Sequence, residues 1–231
     1  MEVQKVTVGP VEVEVSFKPI KNLHLSVHPP DGRVTIASPD FYDLEKIKIY
    51  IATKLAWIKR EQKKIQGQAR EGEKLFITRE SHQFLGKRYL LHVIEAKRPK
   101  IVQRHSELDL YAVPGATVEQ KRKTLYNWYK RELEKVILKY LSVYLKLMDL
   151  QLDTFGIRKM KTKWGSCATN NGMIWFNIEL AKKPEACIEY IVVHELVHLI
   201  ERHHNKNFVI LMDKYLPNWR VQKRILNELP V

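Results

Sequence analysis

The sequence predicts an α+β fold, with a β-rich amino-terminal half followed by a helical carboxy-terminal half that carries a small antiparallel sheet. Three observations predict it. Val11, Val13, Val15 and Phe17 alternate with Glu12, Glu14, Ser16 and Lys18, the period of a strand with one buried face. Between 117 and 148 the apolar residues recur instead every three to four positions. From Tyr190 to Ile200 almost every position is apolar, the pattern of a buried helix, yet two histidines and a glutamate interrupt it.

In chain order, Leu23, Leu25 and Val27 continue the first strand pattern and Val34 and Ile36 return, with PPDGR (29–33) as the turn. Leu44, Ile47, Ile51, Leu55 and Ile58 then mark an amphipathic helix from Asp43 to about 66, stopped near Gly67. Strands resume at Lys74 to Ile77, in HQFLGKRYLLHVIEA and in ELDLYAVP, punctuated by Gly and Pro. The long helix of 117–148 presents Leu125, Trp128, Leu133, Ile137, Leu141 and Met148 on one face. No internal repeat is visible. A seam near 115 divides a β-rich region, 1–115, from a helical region, 116–231, that holds the candidate catalytic residues.

Composition narrows the class. Charged residues at 29% against 45% hydrophobic residues are a globular balance. No apolar run reaches the ~18 residues of a membrane span, and the amino terminus alternates like a strand rather than a secretory leader, so a cytoplasmic location without membrane contact is expected. Cys167 and Cys187 are too few for a disulfide framework and lack CxxC spacing, so reduced thiols are expected. The net charge of +14 suits a solvated basic surface, and it equally suits nucleic acid as a partner.

His194-Glu195-Leu196-Val197-His198 is an HExxH motif. Residues four apart on a helix differ by roughly 40° around the axis and ~6 Å along it, so both imidazoles can reach one ion. Glu195, beside the first ligand, can take a proton from water activated there. Without an ion, two histidines and a carboxylate in an apolar helix would be costly to desolvate. Candidates for a third ligand are Glu201, His203, His204 and, further on, Asp213 and Glu228. His204 has HExxH-x5-H spacing, but a straight helix would carry it about 120° off the ligand face, so the helix must end first. His203-His204-Asn205 offers the turn, since Asn tolerates left-handed conformations.

The segments RKMKTKWGSC (158–167), IWFN (174–177), YIVVHELVHL, HHNKNF and YLPNWRVQKRIL, with KLAWIKR (54–60) and FLGKRY (84–89), closely resemble the YgjP-like family of zinc metallopeptidases. The resemblance covers essentially the whole chain. It implies a zincin-like fold and one zinc ion held by His194, His198 and His204, with Glu195 as catalytic base. It also implies kinship to Wss/SprT-type proteases that act on DNA-bound proteins, so the expected partner is a polypeptide substrate, including protein bound to nucleic acid. The metzincin glycine, three residues past the second histidine, is Glu201 here. An endoribonuclease family with the same ligand spacing lacks the glutamate, so Glu195 points to peptide hydrolysis.

In such a fold MIWFNIEL (173–180) is expected as an edge strand that receives an extended peptide. WGSC would be the loop entering it, with Gly165 permitting a tight turn and Trp164 packing beneath the helix. Trp164, Gly165, Trp175 and Asn177 are the candidate substrate-binding residues, and Tyr215, Arg220 and Arg158 the candidate oxyanion donors. The alternatives are a metal-dependent nuclease and a nucleic-acid-associated zinc adaptor.

Overall fold

The computed structural model describes residues 3–28, 31–67, 74–168 and 172–228. Pro29 and Pro30 of the expected PPDGR turn lie outside the described residues. The chain divides into two compact units, Met1–Arg70 and Glu71–Leu229, rather than at the seam near 115.

In the first unit four strands, β1 (Val3–Val8), β2 (Val11–Lys18), β3 (His24–His28) and β4 (Arg33–Pro39), form a sheet of order β1-β2-β4-β3. The alternation of β2 buries Val11, Val13 and Val15 as expected, and β3 returns antiparallel on β4 with Val27 opposite Val34. Helix α1 (Leu44–Gly67) starts where the Asp43 carboxylate accepts the Lys46 N–H, and it buries Ile47, Ile51 and Ile58 with the valines of the sheet.

The second unit begins with the same topology. Strands β5 (Ser81–Phe84), β6 (Lys87–Glu95), β7 (Lys100–Gln103) and β8 (Glu107–Ala112) take the order β5-β6-β8-β7. In both sheets the outer pairs are antiparallel and the central pair parallel, and a long helix follows. This repetition is one of connection and pairing, which alternation and turn placement specify without matching residues. Lys74–Ile77 is not a strand. Phe76 has φ +57°, and the Glu80 carboxylate takes the N–H groups of Leu75 and Phe76 that a ladder would need.

Helix α2 (Val118–Met148) opens on a capping box between Thr117 and Gln120 and closes on left-handed Asp149. Trp128 packs 4.5 Å from Phe84, and the Tyr129 hydroxyl donates to the Gln83 carbonyl. These contacts explain the division at 70/71: strands β5–β8 bury their apolar face with α2 and share one core with the helices that follow. Further along α2, Tyr140 and Tyr144 donate to Glu185 and Glu189 of α3 (Glu185–Ile200).

A three-stranded sheet completes the unit: β9 (Phe155–Arg158), β10 (Gly165–Ala168) and β11 (Met173–Asn177), in the order β10-β11-β9. The expected edge strand is therefore the central one. β11 pairs antiparallel with β10 and parallel with β9, and Ile178–Lys182 leaves it as a 3-10 turn. The edge strands of this sheet are β10 and β9. Helices α4 (Lys206–Tyr215) and α5 (Trp219–Glu228) pack on α3. Among the described residues no helix is long and apolar enough to cross a membrane.

Candidate metal centre and active site

Helix α3 carries the motif on a span whose side chains, from Cys187 to Val197, are nearly all buried. His194 and His198 project from it with ring centroids 4.8 Å apart. The helix then stops, because Glu201 turns to an extended backbone (φ −132°, ψ 110°) and its carboxylate accepts the His203 N–H at 3.1 Å. Asn205 is also extended and caps α4 by accepting the Phe208 N–H. The return of His204 thus needs no left-handed residue. An extended helix exit and a new N-cap build it, which corrects the role expected of Asn205.

The result brings His204 Nε2 to 3.1 Å from His194 Nε2, and the nitrogens of His194, His198 and His204 all lie within 4.8 Å of one another. His203 is exposed and outside the group. Because the Glu201 carbonyl can only accept, the His198 Nδ1 that meets it at 3.1 Å carries the proton and Nε2 keeps its lone pair. Phe208, buried on α4, lies against all three rings at 4.6–5.0 Å between centroids and fixes their positions. Sequence reasoning missed it, since an aromatic at that spacing reads as ordinary core.

The donor set fits a divalent ion. Two imidazoles on one tetrahedral ion with bonds of about 2.0–2.1 Å place their nitrogens roughly 3.3 Å apart, close to the spacing present. Burial pushes the His194 pKa down to about 3, helped by His198, His204 and Lys223, so the ring is neutral and ready to ligate. A second group, His92, Glu107 and Asp109, lies on β6 and β8. There Asp109 already bonds His92 and Arg104, so the group is satisfied without an ion.

Glu195, 4% exposed, lies beside the two histidines on α3 and packs against Gly165 of β10. Burial raises its pKa to about 8, partly offset by the Lys163 charge and by a hydrogen bond from the Cys167 backbone N–H. Gly165 is where it is because of this carboxylate. A Cβ there would press on Oε1 and sit 2.7 Å from Cγ, so the glycine serves close approach rather than a tight turn.

Histidines and glutamate open into a cleft of about 730 Å³. Of the expected substrate residues, Trp164 and Gly165 line it. Trp175 lies instead under the Arg158 guanidinium, 4.4 Å from the ring centroid, and fills the space above Gly156. Asn177 is buried and works as a bracket: its side chain accepts from the Met160 and Glu179 N–H groups and donates to the Met160 and Lys163 carbonyls. It holds the approach to β10 in place. The expected oxyanion donors are also elsewhere. Arg220 is paired with Asp213, Arg158 is stacked on Trp175, and Tyr215 is not among the cleft-lining residues. The cleft is lined also by Tyr190, Lys163, Arg202 and Lys223, for which the sequence suggested no role. Cys167, half-buried in the cleft wall, and Cys187 are free thiols.

Comparison with known proteins accords with this site. The family described as YgjP-like, metallopeptidase domain, matches residues 21–229. Among solved structures the chain is similar to the metallopeptidase zymogen abylysin of Pyrococcus abyssi, at 22% identity and a TM-score of 0.34, over 43% of this chain and 99% of that one. It is similar also to the zymogen jannalysin of Methanocaldococcus jannaschii, at 18% identity and a TM-score of 0.33, over 40% of this chain and 93% of that one. No curated protein sequence matches. The family match spans nearly the whole chain and includes every residue of the three-histidine cluster, so this protein belongs to the YgjP-like metallopeptidase domain family.

Proposed function

We propose that the chain is a zincin-type peptidase that hydrolyses peptide bonds at a zinc ion held by His194, His198 and His204, with Glu195 as general base. The convergence of three imidazole nitrogens beside one buried carboxylate carries this reading. A neutral, all-nitrogen donor set of three suits zinc and leaves a coordination position open. Zinc, when bound, supplies Lewis acidity, making water acidic enough to react near neutral pH and polarising a carbonyl.

The chain's own residues do the rest. Glu195 accepts a proton at its carboxylate and delivers it to the leaving amine, a role served by a carboxyl whose basicity burial has raised. The Cys167 N–H fixes the carboxylate's orientation. Strand β10, whose residues Gly165 to Ala168 line the cleft, has one edge unpaired by its sheet and can bind an extended peptide through main-chain hydrogen bonds. Such pairing tolerates many sequences.

Metal content and product analysis test the reading. Purified protein is expected to hold one zinc per chain, with His204→Ala losing it and His203→Ala keeping it; equal losses would sink the ligand assignment. Wild type should cut an unfolded protein and leave RNA and single-stranded DNA intact. Cleavage of nucleic acid with protein untouched would overturn the proposal.

A further inference from the structure

The cleft is lined by three exposed cations that come from separate elements. Lys163 lies just before β10, Arg202 just after α3, and Lys223 on α5. The one acidic side chain among the lining residues is Glu195, which is buried against β10. Some cations of the same unit are neutralised: Arg220, on the same helix as Lys223, pairs with Asp213, Lys182 pairs with Glu179 at 2.8 Å, and Lys139 with Glu185 at 2.7 Å. Among the described residues no acid lies within ion-pair distance of Lys163, Arg202 or Lys223. Lys223 rests 5.6 Å from the Trp219 ring centroid, a contact that orients the ammonium without neutralising it.

We propose that this cationic rim selects acidic substrates, so that the cleft binds extended polypeptide segments rich in Asp and Glu around the scissile bond. This deepens the peptidase reading and rests on it. The rim surrounds the reacting centre: the Lys163 charge acts on Glu195, and the Lys223 charge on His194. A Lys- or Arg-rich segment entering there meets three like charges with no compensating acid at the surface of the cleft. An acidic segment gains up to three ion pairs while its backbone pairs with the open edge of β10. Nucleic acid shares the negative charge but has no amide ladder to offer that edge, which favours peptide.

Exposed ion pairs contribute roughly 1.5–5-fold each to binding, so three together give a preference between about 3-fold and about 100-fold. The test uses the zinc-loaded Glu195→Gln protein and fluorescent peptides of matched length that are Asp/Glu-rich, neutral or Lys-rich, with anisotropy as readout. The acidic peptide is expected to bind at least about 3-fold tighter than the neutral one at low salt, and to lose most of that advantage by 0.5 M salt, where the Debye length falls to a few ångströms. Adding Lys163→Glu and Lys223→Glu should erase or reverse the preference, and the two Lys→Gln changes should weaken it. Equal binding of all three peptides overturns the proposal, as does tighter binding of single-stranded DNA that the same rim changes abolish. Cleavage by wild type separates the two levels. Equal kcat/KM for acidic and neutral peptides rejects the preference and keeps the peptidase, whereas acidic-selective binding with no peptide cut rejects the peptidase alone.

Discussion

Gly165→Ala isolates the geometry on which the chemistry depends. The new Cβ would sit 2.7 Å from Glu195 Cγ and 2.8 Å from Cδ, besides pressing on Oε1. Comfortable carbon contacts lie at about 3.5–4.0 Å, so the carboxylate or the strand must move by about 1 Å. The other neighbours of Glu195 leave little room for the carboxylate to escape, since α3 is buried on nearly every side. A displacement of about 1 Å in a reacting group costs on the order of 100-fold in rate. The histidines are untouched, so zinc content should stay at one per chain. The assay is kcat/KM on a quenched peptide, alongside metal content and a thermal unfolding curve. A Gly165→Ala protein that is folded, metal-loaded and within threefold of wild type would refute the close-approach argument.

Two further outcomes follow from burial and hydrogen bonding. In the metal-free protein Glu195, raised from 4.5 to about 8, holds a proton that the unfolded chain has released, so stability falls as pH rises across that window. His194, lowered from 6.5 to about 3, stays neutral where the unfolded chain is protonated, so stability falls as pH drops from 6.5 toward 3. The two slopes, each up to about 1.4 kcal/mol per pH unit, cancel between 4.5 and 6.5. Denaturant titrations should therefore show a decline above pH 6.5 that metal-free Glu195→Gln lacks; the same decline in both proteins would reject the assignment. Asn177→Ala removes the bracket on Met160, Lys163 and Glu179 and strands backbone groups that Asn177 satisfied, costing about 2–4 kcal/mol in urea unfolding. A loss below 0.5 kcal/mol would mean that the loop is held by other contacts.

What was legible in the sequence follows the range of the forces involved. Alternation in β2, the apolar stripe of α2 and the i,i+4 histidines are local periodicities, and each appears where its spacing puts it. The Lys74–Ile77 segment reads as a strand by composition, yet the Glu80 carboxylate captures its N–H groups, a contact that no periodicity encodes. Placing β11 at the edge failed for a related reason: which strand is outermost depends on β9 returning parallel beside it. The division at 70/71 escaped notice because the contact of Trp128 with Phe84 joins residues far apart in the chain. In the site itself, residues inside the motif were readable, while Phe208 and the three rim cations come from outside the motif helix. Gly165 was singled out for its flexibility, although its use is the space it leaves for Glu195.

The most direct test of the central claim is cleavage of an unfolded protein by zinc-loaded wild type and zinc-loaded Glu195→Gln, with metal content measured on the same samples. The account predicts equal zinc in both and hydrolysis only by wild type. Hydrolysis by Glu195→Gln at a wild-type rate would contradict it, because no other acid lines the cleft to take the proton.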